Sequence, residues 1–331
     1  LIESKKLRVK ELNEPLIEDL LISINTLPLK KPYKLSFVTL DRFQSIQVKL
    51  RFSNHKETIA EVVPLLGYND ESEEEIYDSI IAWKDELVGK KVSKAREFVS
   101  SFISQKPFTT SAILTAIDLM SYSVNPDTHH SIKYVVPSST TETDELKSLL
   151  LNSRDSIKVK LTQDVDADIN GLLAVKKEVL GFHSNIRFDA NQAYDFEAAR
   201  KFCELLQFTK LDLKTQYIEQ PFPVGKENWI GELRKQFKSI AFMLDESIVT
   251  INDLDLATTN DVEYIKLKLF KQGGIKELLE IANEANRKGI KVILGNGVAT
   301  SISNEIENEI YMKNKALFVA PLESNGFKKL I

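Results

Sequence analysis

Three carboxylates and two ammonium groups recur through the second half of the chain at nearly constant spacing. Lys160, Asp189, Glu219, Asp245 and Lys268 follow one another at intervals of 29, 30, 26 and 23 residues. Each stands at or near the C-terminal end of a strand-like run, and each interval is about the length of one βα unit. In a closed parallel sheet the strand C-termini share one mouth, so the five groups would face one another there. Three carboxylates brought that close repel strongly unless a cation lies between them. Asp189, Glu219 and Asp245 offer hard oxygen donors, and neither sulfur nor histidine stands at these strand ends. That donor set points to Mg²⁺, or Mn²⁺, rather than Zn²⁺. A coordination sphere only partly filled by the protein leaves places for water and a substrate carboxylate.

The lysines read the same way. In "IKVKL" (157–161) a period of two puts Lys158 and Lys160 on one face and Ile157, Val159 and Leu161 on the other. Barrel helices cover the outer face, so the apolar trio should point outward and the lysines inward. An ordinary lysine is a poor base at neutral pH. A second ammonium two residues away and a nearby dication would move Lys160 down towards the ~7–8 useful for proton transfer. Each feature has a plainer alternative. A Lys-x-Lys strand is commonly an edge protected against aggregation, and an Asp at a strand end is commonly a helix N-cap. Edge strands are few in any sheet, however, and here each successive strand carries a charge at the same end.

The elements that must position these groups are legible as short apolar runs. Strands are expected at 132–137, 156–161, 186–191, 217–222, 241–247, 264–269, 291–297 and 316–321, most of them separated by helical stretches. Eight such units over ~200 residues predict a closed parallel barrel rather than an open doubly wound sheet. No Gly-x-Gly-x-x-Gly follows the first of them, which argues against dinucleotide binding. The front third reads as α+β. Strands are expected at 33–40, 45–53 and 59–66, and helices at 70–89, 93–103 and 111–124. The division expected is 1–125 and 126–331.

Composition bounds the rest. With 331 residues, 43% hydrophobic and 28% charged, the chain has a soluble globular make-up and can bury a large core. Its net charge of −4 gives no basic field for nucleic acid, and no apolar run reaches the length of a membrane span. The first residues show no signal-like apolar region, and beginning at Leu1 suggests a missing initiator segment. Cys203, the single cysteine, lies in a helical run and reads as a core residue. No disulfide can form within the chain, which points to the cytoplasm. A homo-oligomer is left open.

Five motifs, "IKVKL", "RFDANQAY", "YIEQPF", "MLDES" and "IKLKLFKQGG", occur in the order and spacing of the enolase superfamily. The chain resembles its muconate-lactonizing-enzyme subgroup over nearly all of its length. The resemblance implies a (β/α)7β-type modified TIM barrel with an α+β N-terminal capping domain, to which "AEVVPLLGYNDES" (60–72) is similar. It implies that Asp189, Glu219 and Asp245 are the metal ligands, supported by Asn191 and Glu246. Lys160 and Lys268 match the two opposing acid/bases, and Lys158 matches the neighbour that tunes Lys160. The implied chemistry is removal of a proton α to a carboxylate, giving an enediolate stabilised by Mg²⁺. Two lysines on opposite faces suit racemisation or epimerisation of a dipeptide or N-acyl amino acid. The alternatives are dehydration as in o-succinylbenzoate synthases, a muconate-type cycloisomerisation, or a metal–carboxylate-binding protein without turnover.

Selectivity is less legible. Leu269 after the second lysine is closest to the dipeptide epimerases. "LESNG" (322–326) offers Glu323 and Asn325 where those enzymes usually carry an Asp-x-Asp pair for the substrate ammonium. Gly297 belongs to "GNGVATSIS", expected to be a loop beside the substrate. Lys31, Lys34 or Arg42 could meet a distal carboxylate from a lid formed around "KKPYKLSF" (30–37). Lys266 stands where the resemblance implies a neutral residue, and contact with an interior acidic group would account for it. The acidic run at 70–76 reads as a solvated helix start and the pair His129-His130 as solvated; His55 and His183 show no metal spacing, and Trp83 and Trp229 read as helix-packing residues.

Overall fold

The computed structural model describes residues 14–34, 38–65, 71–125 and 132–331, without the side chain of Lys34. The expectations for Lys34 and for His129-His130 therefore lie outside the described residues. The chain opens with an antiparallel sheet of β1 (Ile17–Lys34), β2 (Thr39–Phe52) and β3 (Glu57–Val62), in that order. β1 is longer and earlier than the pattern suggests. Of the run expected as a strand at 33–40, residues 33 and 34 end β1 and residues 39 and 40 begin β2. β1 was missed because it is a largely solvated partner of β2: Leu21 and Ile24 are exposed beside buried Leu20, so its apolar alternation is weak.

Three helices follow: α1 (Glu73–Leu87), α2 (Val92–Ser100) and α3 (Pro107–Asp118). α1 begins where its sequence dictates. Ser72 and Glu75 form a reciprocal capping box, and Glu73, Glu74 and Glu75 occupy the positive end of the helix dipole. Ile76 and Ile80 of α1 and Ile113 of α3 pack with Ile46, Val48 and Leu50 of β2 into one apolar core. Trp83 lies against Phe98 and Phe102, which bears out its reading as a packing residue.

The second region is a parallel sheet of β4 (Val136–Ser139), β5 (Ile157–Lys160), β6 (Ile186–Asp189), β7 (Thr215–Glu219), β8 (Phe242–Leu244), β9 (Tyr264–Leu267) and β10 (Lys291–Leu294), each paired with the next. Between the strands run α4 (Thr143–Asn152), α5 (Val165–Ala174), α6 (Lys176–Gly181), α7 (Phe196–Thr209), α8 (Asn228–Gln236), α9 (Leu254–Thr259) and α10 (Ile275–Arg287), with α11 (Ser301–Lys313) after β10. Ile157, Val159 and Leu161 face outward into the core shared with these helices, and Cys203 is buried there.

The eighth run does not form a regular strand. Residues 315–317 make a 3₁₀ turn, and the extended segment after it closes the barrel through single contacts. Val319 N donates to Val292 O (2.8 Å), Glu323 N to Leu294 O (3.1 Å) and Val135 N to Leu322 O (3.0 Å). A (β/α)7β-type modified TIM barrel with an antiparallel α+β region beside it is thus the fold.

Two contacts tie the regions together near the barrel mouth. The buried carboxylate of Glu61, on β3, accepts from Thr300 N (2.8 Å), Thr300 Oγ1 (2.6 Å), Ser303 N (3.2 Å) and Ser45 Oγ (2.6 Å). A β3 side chain thereby anchors the N-terminus of α11. Gly274, at φ +106°, enters α10 against α3. A Cβ there would lie 2.8 Å from Asp118 Oδ2 and 3.0 Å from Leu114 Cβ, so "QGG" ends in glycine for space as well as conformation.

Candidate active site

Alternation along four-residue strands stacks the inward side chains in layers. Lys158, Arg187 and Tyr217 are register partners across β5, β6 and β7, and Lys160, Asp189 and Glu219 form the next layer towards the mouth. Asp245 lies one residue beyond β8, and Lys268 one beyond β9. The chain turns sharply after the acidic strand ends. Asn191, Gln192 and Gln220 all take positive φ, at 44°, 66° and 35°. For residues with side chains that conformation is costly, and it clusters here around the charged groups. Gln220 supports the turn: its Oε1 accepts from Asp245 N (2.9 Å), and its Nε2 donates to Ser247 Oγ (2.8 Å).

Every carboxylate of the predicted set meets an ammonium. Lys160 Nζ donates to Asp189 Oδ2 and Asn191 Oδ1, both at 2.6 Å. Lys158 Nζ reaches Asp189 Oδ2 (2.7 Å), Glu219 Oε2 (2.7 Å) and Glu323 Oε2 (2.8 Å). Asp245 is bracketed by Lys268 at 2.6 Å and Lys271 at 2.9 Å. Lys266 bonds to Glu219 Oε1 (3.1 Å) and to Glu323. The contact of Lys266 with an interior acidic group is therefore present, with both Glu219 and Glu323. Arg187 (3.0 Å) and Tyr217 (3.1 Å) also donate to Glu323, leaving its charge taken up inside the barrel rather than presented to a substrate ammonium.

Electrostatics separates the two acid/base candidates. Burial and the ammonium groups of Lys266 and Lys271 push Lys268 down to about 8, against the pull of Asp245. Lys158 does lower Lys160, as expected, but the net shift of Lys160 is upward. Burial is the largest influence and lowers it, but Asp189 at 2.6 Å, Tyr33 and Glu219 together outweigh burial and Lys158 and hold the ammonium above its ordinary value. Lys158 is likewise raised, since Asp189, Glu219 and Glu323 together overcome its burial.

Among the described residues no three acidic, histidine or cysteine side chains stand assembled as a metal cluster, because lysines sit between the carboxylates. The donors nonetheless fit a hard cation. Asp189 and Glu219 are register partners at the ends of β6 and β7, Asp245 stands one residue beyond β8, and all three offer only oxygen. Beside them Glu246 receives Asn191 Nδ2 on Oε1 (3.3 Å), while its buried Oε2 has no hydrogen-bond partner. Burial and the neighbouring Asp245 push Glu246 up to about 7, the response of a carboxylate short of positive charge.

Two cavities open on these groups. A narrow one of about 50 Å³ is lined by Lys158, Lys160, Asp189, Asp245, Lys266 and Lys268, with Gly297, Glu323 and Asn325 at its wall. A vestibule of about 670 Å³ adjoins it and shares Tyr33, Val135, Pro137, Lys160 and Asn325. Of the expected lid cations, Lys31 is on the vestibule wall but paired with Glu145 at 2.9 Å, and Arg42 is solvent-exposed. Two further cations near the site, Lys271 and Lys329, were not anticipated. Lys271 lies within "KLFKQGG" and could have been found there, since it falls on the same mouth as Lys268. Lys329 lies in "FKKL" near the end of the sequence, where nothing local marks it.

Residues 143–316 match the family model described as Enolase C-terminal domain-like. A hydrophobic dipeptide epimerase of Enterococcus faecalis is 32% identical over 142 residues, covering 43% of this chain but 38% of that protein. Muconate cycloisomerase 1 of Pseudomonas putida is 28% identical over 307 residues, covering 85% of this chain and 80% of the relative. The crystal structure of N-succinyl Arg/Lys racemase from Bacillus cereus superposes with a TM-score of 0.82 at 20% identity, covering 95% of this chain and 88% of the other, which shows a shared fold.

Proposed function

The chain belongs to the enolase superfamily, and from that premise we propose that it is a racemase or epimerase moving a proton α to a carboxylate. The observation that supports the proposal is that Lys160 and Lys268 both line one narrow cavity, with Asp189 and Asp245 lining the same space. The relatives named as epimerases and racemases support it, and a dipeptide or N-acyl amino acid is the substrate class. Residues 126–331 form the catalytic barrel, and the α+β region before them acts as the cap.

Asp189, Glu219 and Asp245 would hold Mg²⁺, or Mn²⁺, with Asn191 and Glu246 supporting that arrangement. Bound there, the ion would hold the substrate carboxylate and balance the charge of the enediolate. Lys268, with the lower proton affinity, takes the α-proton. Lys160, kept protonated by Asp189, delivers one to the opposite face of the same carbon. The two exchange roles in the reverse direction. Lys158 joins Asp189 to Glu219 and holds both in place. Phe270, whose ring lies 5.7 Å from Lys268 Nζ, screens that ammonium from water on one side.

A second reading is favoured by the cycloisomerase relative: one lysine acts alone and the other steadies the anion. The two separate on isotope exchange. In D₂O with Mg²⁺, an epimerase incorporates deuterium at the α-carbon of a dipeptide or N-acyl amino acid. Lys160→Ala and Lys268→Ala should each lower that exchange by about 10²–10⁴-fold. Absence of exchange across a dipeptide and acyl-amino-acid library would remove the racemase assignment.

A further inference from the structure

We propose that the vestibule beside Lys160 binds a second anionic group of the substrate, and that Lys329 is the residue that selects for it. This rests on the reading above, in which the reacting carbon lies at Lys160. The vestibule wall carries Lys30, Lys31, Lys328 and Lys329 on the side of β1 and the C-terminal turn. Lys30, Lys31 and Lys328 are exposed, where water screens their charge. Lys31 is paired with Glu145 at 2.9 Å, Lys30 Nζ donates to Lys328 O at 3.0 Å, and Lys328 stacks 4.2 Å from the Tyr134 ring.

Lys329 differs. Its Nζ donates to Gly297 O (2.8 Å) and Asn325 Oδ1 (3.2 Å) and lies 4.6 Å from the centre of the Tyr33 ring. These are neutral acceptors, and they aim the ammonium without cancelling its charge. Among the described residues no carboxylate forms an ion pair with it. Burial and the positive charges of Lys160, Lys158 and Lys266 push its pKa down to about 7. A partly buried cation beside three others is stabilised by an anion, and the Glu142 and Asp155 carboxylates on the vestibule wall are not its partners. A substrate whose α-carboxylate enters the narrow cavity extends its remainder into this space. There a carboxylate is attracted, and an ammonium or guanidinium is repelled. Gly297 and Asn325 thus act on the substrate through Lys329, as positioning residues.

The second carboxylate could belong to the amino-acid side chain or to the acyl group, and matched pairs distinguish them. The assay is α-proton exchange in D₂O with Mg²⁺ on Ala-Glu against Ala-Gln, and on N-succinyl-alanine against its neutral succinamyl analogue. Calorimetric binding of the same compounds runs beside it. Wild type should favour the acidic member of at least one pair by about 10- to 100-fold in kcat/KM, chiefly through KM. Lys329→Met should bring that ratio close to one, and Lys329→Arg should restore most of it. A wild type that exchanges α-protons with no charge preference overturns the anion site and leaves the isomerase standing. So does a Lys329→Met variant that keeps the preference. If no compound exchanges, yet acidic ligands bind in preference and lose it in Lys329→Met, the anion site stands and the isomerase falls. No exchange and no charge preference in binding overturns both.

Discussion

Lys160 and Lys268 are both buried lysines at strand ends, yet their neighbours set them apart. Lys160 shares Asp189 with Lys158, whose charge is also met by Glu219 and Glu323. Lys268 shares a single carboxylate, Asp245, with Lys271. Lys266 stands one inward position deeper than Lys268. Its charge acts on Asp189 and Asp245 as well as on Glu219, to which it is bonded. A fixed ammonium among the proposed ligands opposes a dication by simple Coulomb repulsion. Lys266→Met should therefore tighten Mg²⁺ binding by about tenfold, a modest fraction of the ~4 kcal/mol expected for unit charges 4 Å apart at an effective dielectric of 20. Glu323 keeps Lys158, Arg187 and Tyr217 as partners in that variant. Calorimetric Mg²⁺ titration of both proteins checks this, and equal affinities would show that Lys266 has no say over the metal.

Elements place these residues through short strands and the turns that leave them. A strand of four residues offers two inward positions, so barrel depth is limited to the two layers that hold Lys158 and Lys160 on β5. The loop after β10 depends on a distant strand. Gly295 is at φ +132°, and a Cβ there would come within 2.2 Å of Ser324 N. The chain then reaches α11, whose first turn is held by Glu61 from β3. Removing that carboxylate leaves several buried donors unmet. Glu61→Ala should cost about 2–4 kcal/mol in urea unfolding. It should also raise KM more than it lowers kcat, because Gly297 and Asn296 lie on the loop it steadies. Unchanged stability would mean that water replaces the carboxylate at no loss.

At the scale of the whole molecule, the interior charge makes stability depend on pH. The folded chain releases the Lys329 proton near pH 7, whereas an unfolded lysine holds its own to about 10.4. Between those values the unfolded state binds more protons, so this group's contribution to stability rises with pH; below about 7 the penalty is fully present. Wild type should therefore gain stability relative to Lys329→Met on going from about pH 6 to about pH 9. Urea unfolding of both proteins at the two pH values reads the difference directly. A constant difference would place the Lys329 pKa in the folded chain at its ordinary value. Joining of the two regions matters at this scale as well, since Tyr33 of β1 closes the vestibule over residues of the barrel.

Alternation and spacing along the sequence determined the barrel, the inward face of β5 and the placement of Lys160, Asp189, Glu219, Asp245 and Lys268 at or just beyond successive strand ends. Those are consequences of period-two geometry and of one repeating βα length, both local properties. Tertiary structure decided which charges answer one another. Glu323 is drawn into the interior by Lys158, Lys266 and Arg187, three residues from three different strands. Lys160 is raised rather than lowered because Asp189, Tyr33 and Glu219, brought together only in space, outweigh its burial and Lys158. The eighth barrel position is filled by an irregular segment, since its hydrogen bonds go to β10 and to residues 133–135 through single contacts. Lys329, ordinary in its own stretch of sequence, becomes a half-buried cation with no carboxylate ion pair among the described residues, held by Gly297, Asn325 and Tyr33. Charge compensation is a property of distances in space, and no pattern along the chain encodes it.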